Sequence, residues 1–283
     1  MCIRDRKDKP MVETKRVSVL ILAASRLGAE DIVARSQNVS HKCLITLDGM
    51  IMLERVVKEI KAARNVGRIY ISIENRELLE GVPAVREMLE KGEVQFVQSR
   101  ENLYLSVMGA AEDLGGPFPL IITTADNALH TTEMIDYFCN EVLTLKPDAA
   151  IALTPAAVIL KAYPEGKRAF YPLKDEDWSA CNLYALMTEK ALIATKAFEG
   201  GGQFGKNPQR ILKAFGFIFM VLYRFKLATL ATLGKRLSRR WGIDLQLVPM
   251  PFADAPIDVD NLGDVELTEK ILKARRVAAT ESL

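Results

Sequence analysis

The feature that most constrains the fold of this chain is a repeated switch between two hydrophobic periods. Val17 to Ala24 (VSVLILAA) is a short, unbroken apolar run with β-branched residues, the pattern of a strand buried on both faces. After a polar stretch from Ser25 to His41, the segment Met50 to Ala63 carries Ile51, Leu53, Val56, Val57 and Ile60 at helical spacing, and Arg68 to Ile73 (RIYISI) returns to the strand pattern. Parallel strands need such a crossover, so this is one βαβ unit. The alternation continues with a helix at Pro83 to Glu90, a strand at Glu93 to Val97, a helix at Leu103 to Leu114 and a strand at Phe118 to Thr123, then a helix at Thr132 to Leu145 and a strand at Ala149 to Thr154. Five strands alternating with helices predict a doubly wound, mostly parallel α/β sheet that binds ligands at the carboxyl ends of its strands.

Beyond Thr154 the rhythm becomes mixed. Strands are expected near Arg168 to Leu173 and Asn182 to Met187, two helical stretches from about Pro208 to Arg240, a late strand at Asp244 to Met250 and a final helix at Leu262 to Arg275. This half reads as an elaboration on the sheet. The expected organisation is a charged, disordered leader at 1–16, one domain at 17–276 with the mixed α/β elaboration at 155–242, and a tail at 277–283.

Composition narrows the chemistry. Lys plus Arg number 38 and Asp plus Glu 36, a formal charge of +2, so no basic excess points to nucleic acid. The four cysteines, Cys2, Cys43, Cys139 and Cys181, stand singly, with the spacing of neither a zinc ribbon nor a disulfide framework, which suits a reducing cytoplasm. Two histidines, His41 and His130, are too few for a three-histidine zinc site and leave oxygen ligands as the metal chemistry to look for.

Four segments carry residues suited to chemistry at strand ends. LILAASR follows the first strand, where small residues let backbone amides approach a nucleotide, and SHKCLITLDG beyond it holds Lys42, a mobile cation suited to phosphate. Asp126 in TTADN directly follows the fourth strand, well placed for Mg²⁺; its bland alternative, a helix cap, competes with Thr131 and Thr132. In IDVDN, Asp258 and Asp260 are two residues apart, so an extended backbone turns both carboxylates to one side, while Asp264 reads as a cap of the last helix. In NLYLSVMGA, Ser106 and Gly109 sit on the first turns of a helix, where a hydroxyl and free amides read a base edge unless the helix is merely amphipathic.

In order and spacing, LAAS at Leu22 to Ser25, HKCLITLDGMIML at His41 to Leu53, SVMG at Ser106 to Gly109, AD at Ala125 to Asp126 and DVDNLGDV at Asp258 to Val265 resemble the nucleotidyltransferase superfamily. The resemblance is strongest to its MobA-like group, which includes the molybdenum-cofactor guanylyltransferases and cytidylyltransferases acting on small phosphorylated acceptors, and it covers Val17 to about Leu272. It implies a Rossmann-like sheet of the nucleotide-diphospho-sugar transferase type. It implies further that Leu22, Ala23, Ala24 and Ser25 line the nucleotide, that Lys42 contacts its phosphates and that Ser106 lies near the base. Asp126 and Asp260, with Asp258, would hold Mg²⁺, and Lys42, Asp126 and Asp260 would carry catalysis. The implied reaction moves a nucleoside monophosphate from a triphosphate, GTP or CTP first, to a phosphorylated acceptor and releases pyrophosphate. Two positions depart from the pattern: Ser25 stands where the group has glycine, adding a Cβ, and His41 where it has proline. Two other readings remain: a metal-dependent glycosyltransferase using a nucleotide sugar, whose DxD would instead end a central strand, and a non-catalytic nucleotide-binding scaffold at a membrane.

Two strings invite other readings. GGGQFG at Gly200 to Gly205 satisfies GxGxxG but lacks the βαβ context of a dinucleotide site and reads as a hinge, with Lys206 and Arg210 beyond it as surface residues or acceptor contacts. AFGFIFMVLY at Ala214 to Tyr223 is too short to span a bilayer. With Lys213, Arg224, Lys226, Lys235, Arg236, Arg239 and Arg240 nearby, 206–240 is either a peripheral contact with the inner face of the membrane or a core or homodimer helix.

Overall fold

Strand β1 (Val17–Leu22) lies in the middle of the sheet, and the chain winds outward from it in both directions. In the computed structural model, which describes residues 16–164, 169–198 and 216–281, β1 pairs in parallel with β4 (Val66–Ile73) on one side and β6 (Leu120–Thr124) on the other. Beyond β4 lies β5 (Val94–Gln98), and beyond β6 come β9 (Asp177–Leu186), β7 (Ala149–Pro155) and β10 (Leu245–Pro249). The strand order β10-β7-β9-β6-β1-β4-β5 is the doubly wound, mostly parallel sheet expected from the sequence. The chain reverses direction across the sheet between β1 and β6, and the crevice at their carboxyl ends is where such folds bind ligands.

Burial on both faces explains the unbroken apolar runs. Val19 and Ile21 of β1 face a core layer filled by Leu53 and Val57 of α2 (Met52–Ala62), Val85 of α4 (Pro83–Glu90) and Phe138 and Val142 of α6 (Thr132–Leu145). Leu20 faces the opposite layer, with Val107 and Ala110 of α5 (Leu103–Asp113) and Leu237 of α10 (Leu230–Trp241). A third cluster joins Ile271 and Leu272 of α11 (Leu262–Glu281) to Ile45, Leu47, Met52, Ile257 and Val259. It ties the end of the chain to the segment around Lys42.

The structure differs from expectation where local pattern is weak. The polar stretch after β1 contains a 3₁₀ turn (Gly28–Glu30) and α1 (Ile32–Ser36), whose N-cap Asp31 accepts hydrogen bonds from Val33 N and Ala34 N; five residues are too few to show a helical period. A hairpin of β2 (Thr46–Leu47) and β3 (Met50–Ile51) precedes α2. The helix α3 (Glu77–Glu80) follows β4, and α7 (Ala156–Ala162) follows β7 directly. The expected strand at Arg168 to Leu173 is only β8 (Tyr171–Pro172), and the one at Asn182 to Met187 is the ten-residue β9, antiparallel to β6, β7 and β8. Short helical turns, including α8 (Leu192–Thr195), follow β9. The predicted helical stretches are α9 (Phe217–Arg224) and α10, and the last helix runs past Arg275 to Glu281. The leader up to residue 15, Arg168, the glycine string at 200–205, Lys206, Pro208, Arg210, Lys213, Ala214 and tail residues 282–283 lie outside the described residues.

Phe138 is fully buried where α6 meets the sheet. Phe138→Ala is expected to cost about 3–5 kcal/mol of unfolding free energy, read from the midpoint of urea denaturation; a loss under about 1 kcal/mol would contradict this packing.

Candidate active site

Three remote segments meet at the carboxyl end of β6. Asp126 lies just after the strand, Lys42 opens a 3₁₀ turn (Lys42–Leu44), and Asp260 closes the extended segment before α11. The Lys42 ammonium stands between the two carboxylates, 2.7 Å from Asp126 Oδ2 and 2.8 Å from Asp260 Oδ1. Burial alone would lower its pKa, but the two carboxylates outweigh burial and raise it above the ordinary lysine value. Val259 N donates to Asp126 O at 3.0 Å, which pins the DVDN segment against the β6 loop. Asn261 and Asp264 then form a reciprocal cap: Asp264 N donates to Asn261 Oδ1, and Asn261 N to Asp264 Oδ2. Asp126 caps no helix, because Thr131 Oγ1 accepts from Met134 N at the start of α6.

The loop after β1 is held by a residue that motif reading passes over. Glu74, just beyond β4, accepts from Ser25 N at 2.6 Å, and its other oxygen is 3.3 Å from His41 Nε2. One carboxylate thus holds the LAAS loop and stands next to the residue before Lys42. Ala23 N is engaged by Ser72 O at 2.9 Å, while Ala24 is exposed and Leu22 and Arg26 line the adjoining cavity. Ser25 has a negative φ, so its backbone does not need glycine; the positive φ falls at Gly28, whose N–H donates to Ser25 Oγ at 3.0 Å.

Ser106, expected beside a base, is engaged within the protein. It is buried, and its hydroxyl accepts from Arg100 N at 2.9 Å and donates to Arg100 O at 3.2 Å, so it shapes the loop before α5. The cavity is faced instead by Leu103, Tyr104 and Val107. Gly109 lies under the Arg100 side chain, where an added Cβ would sit 2.8 Å from Arg100 Nε. Asp258 lines the same cavity as Asp260, as the two-residue spacing requires, and its Oδ2 is 3.4 Å from Asn182 Nδ2. Asn182 also donates to Asn127 Oδ1 at 3.0 Å, from a left-handed backbone (φ 51°) beside the register shift between β7 and β9. A bulge of this kind re-aims a side chain, and asparagine tolerates the conformation.

Among the described residues no three acidic, histidine or cysteine side chains gather around one point. Asp126 and Asp260 nevertheless converge on a single positive charge, the Lys42 ammonium, and an all-oxygen pair of this kind fits Mg²⁺, which is commonly held by one or two carboxylates plus substrate phosphates. Asp258 stands beside that pair, turned to Asn182. The cysteines at 43, 139 and 181 are free and buried, and burial pushes each thiol up to about 12, which removes them as nucleophiles. Phe217, Ile218, Phe225 and Leu227, in and after α9, are exposed, and no helix among the described residues is long and apolar enough to cross a membrane.

The sequence matches the family described as MobA-like NTP transferase domain over residues 19–194. Among solved structures, one described as a hypothetical transferase from Thermus thermophilus is 20% identical, with a TM-score of 0.69 over 88% of this chain and 99% of that one. The 4-diphosphocytidyl-2C-methyl-D-erythritol synthase of Anaerococcus prevotii is 11% identical, with a TM-score of 0.55 over 94% and 99%. A CMP:2-keto-3-deoxy-manno-octonic acid synthetase in complex with CTP is 11% identical, with a TM-score of 0.56 over 92% and 99%. At these identities the structures share the fold. No curated protein matches the sequence.

His130 supports the Asp126 loop from below. Its Nε2–H donates to Ala255 O at 2.9 Å, and burial pushes the imidazole pKa down to about 4. The unfolded chain protonates this group near pH 6.5 while the folded protein does not, so its contribution is complete above that pH and falls as pH drops toward 4. Folding stability is expected to fall by about 3 kcal/mol over that interval on this account alone. His130→Gln should flatten this part of a urea-midpoint profile against pH, and an unchanged slope would refute it.

Proposed function

The chain belongs to the MobA-like NTP transferase domain family, and from that premise we propose that it is a Mg²⁺-dependent nucleotidyltransferase. It transfers a nucleoside monophosphate from a nucleoside triphosphate to a phosphorylated acceptor and releases pyrophosphate. The observation that carries this reading is the placement of Lys42, Asp126 and Asp260 on one point at the crevice between β1 and β6. CTP is the first choice of nucleotide, because the solved relatives include one holding CTP and one named for a cytidyl product, and GTP is the second.

Asp126 and Asp260 would hold the metal, with Asp258 adjacent. Bound there, Mg²⁺ would supply charge neutralisation at the α-phosphate. With the two carboxylates holding the metal, the Lys42 ammonium would be free to meet the triphosphate as a point charge. The acceptor phosphate is ionised near neutral pH, so its oxygen attacks the α-phosphorus without a general base, and no protein nucleophile is required. Catalysis is then positioning plus electrostatics, with each well-placed contact worth about 3–4 kcal/mol. Glu74 holds the Ser25 loop through the Ser25 N–H, with its second oxygen close to His41.

The test is thermal stability with ATP, GTP, CTP and UTP, each with and without Mg²⁺, on the full chain and on Asp126→Ala. One nucleotide, CTP first, is expected to stabilise by about 2.7 kcal/mol at about 100 times its dissociation constant, only with Mg²⁺. Asp126→Ala should fold, judged by circular dichroism, and lose that response. Absence of any response to the four triphosphates with Mg²⁺ would overturn the proposal, and stabilisation by nucleoside diphosphate sugars alone would replace it with glycosyl transfer.

A further inference from the structure

Helices α9 and α10 form a hairpin whose outer side the proposed chemistry does not use. The chain turns between them at Lys226, which has a left-handed backbone (φ 51°), and Leu227 N donates to Leu222 O at 2.8 Å, a Schellman-type helix end. Thr229 Oγ1 accepts from Thr232 N and opens α10. Lys174 N donates to Ala228 O and Leu230 N to Asp175 Oδ2, which ties the turn to the segment between β8 and β9. At the other end of the hairpin a Cβ on Gly216 would lie 3.0 Å from Arg240 Nη1, so the two helices run antiparallel and α9 begins beside the end of α10. Leu230, Gly234 and Leu237 of α10 are buried toward the sheet, which leaves Lys235, Arg236, Arg239 and Arg240 on its exposed side. Four large apolar side chains stand out from the same hairpin: Phe217 and Phe225 are each 65% exposed, and Ile218 and Leu227 are exposed as well. Single exposed apolar residues are ordinary, but four within one turn-and-helix unit make a patch. The charge around them has one sign. Residues 216–243 hold six Lys or Arg and no Asp or Glu, in a chain with 38 basic and 36 acidic residues, so the remainder of the chain is net negative. An acidic neighbour comes from β9, where Asp177 is 3.6 Å from Lys226.

We propose that this hairpin docks the protein on an anionic lipid bilayer, with Phe217, Ile218, Phe225 and Leu227 entering the headgroup region and the basic residues of α9 and α10 meeting lipid phosphates. The inference is independent of the nucleotidyltransferase reading. A bilayer surface suits both parts of the patch at once, since its boundary region takes up apolar side chains while its negative potential attracts Lys and Arg. A nucleic acid would take the charges but leave Ile218 and Leu227 in water. A second copy of the chain, paired through the same patch, would set six positive charges against six of the same sign. The opposite side of α10 lines the large cavity through Leu230, Leu233, Leu237 and Trp241, so the docking surface is the back of a cavity wall.

The test is flotation of the full chain with two kinds of vesicle, one of equal parts phosphatidylglycerol and phosphatidylcholine and one of phosphatidylcholine alone, at about 0.05 M and about 0.5 M salt. At low salt the anionic vesicles are expected to bind at least about tenfold more tightly than the neutral ones, and the higher salt should remove most of that difference. Phe217→Ser combined with Phe225→Ser should weaken binding to the anionic vesicles at least about tenfold. Arg236→Glu combined with Arg239→Glu should do the same, at about fivefold or more for each charge lost, while Arg236→Lys with Arg239→Lys should keep the wild-type affinity. All four side chains are exposed, so the urea midpoints of these variants should match the wild type. Should the phenylalanine pair lower the midpoint, the two arginine pairs decide. No flotation with the anionic vesicles at low salt, equal binding to the neutral ones, or flotation unaltered by the phenylalanine and glutamate variants would overturn the proposal. So would a protein that stays at the bottom of the gradient as a dimer dissociated by the phenylalanine pair, or one that binds RNA instead.

Discussion

The Lys42 ammonium joins residues 84 and 218 positions away from it in the sequence, and that one shared charge lets their two carboxylates stand side by side. Asp126 and Asp260 would repel each other without a cation between them, and a half-buried carboxylate pair is a poor structure by itself. With the ammonium in place, one positive charge is set against two negative ones, so a net negative point remains at the mouth of the cavity. On the proposed reading, a divalent cation arriving with an anionic phosphate chain would satisfy both sides of this arrangement, the carboxylates taking the divalent partner and the lysine the phosphate.

That geometry is enforced by backbone and core rather than by the charges. The hydrogen bond from Val259 N to Asp126 O fixes the DVDN segment to the end of β6. Ile257 and Val259 are packed under α11 with Ile45 and Leu47, so the lysine-bearing segment and the aspartate-bearing segment share one apolar cluster. His130, donating to Ala255 O, closes the same contact from the other side of the loop. Alternation then explains the roles within the segment: Ile257 and Val259 point into the core, which leaves Asp258 and Asp260 facing the cavity.

Legibility in the sequence followed the strength of local pattern. The parallel strands were readable because burial on both faces demands unbroken apolar runs, and Asp126 because a carboxylate directly after a central strand has few structural reasons to be there. The same reasoning applied after RIYISI would have reached Glu74. Strand β9 was only half legible: its alternate residues floor a cavity, so Trp178, Ala180, Asn182 and Tyr184 form no apolar stripe that a period-two reading would find. Ser106 was legible as a motif but not in orientation. Its hydroxyl is satisfied by the Arg100 backbone, a tertiary choice that helix phase alone does not predict.

Ser25 shows how a departure from a glycine pattern is accommodated physically. Glycine is required where φ is positive or where a neighbour comes too close for a Cβ, and at Ser25 the first condition does not hold. The turn shifts its positive φ to Gly28, and the added hydroxyl accepts the N–H of that glycine. The Ser25 N–H is then satisfied by Glu74, whose second oxygen reaches toward His41, the other residue that departs from the pattern. The two departures thus sit on one carboxylate. Proline at 41 would have stiffened the approach to Lys42 by fixing φ; with histidine there, the imidazole Nε2 lies 3.3 Å from the second Glu74 oxygen. A carboxylate beside a phosphate-binding loop would be unfavourable unless it held N–H groups that would otherwise go unpaired. Glu74 does hold one, so the negative charge shapes the loop, and on the proposed reading the attraction for a nucleotide would fall to Lys42 and to Arg26 at the cavity wall.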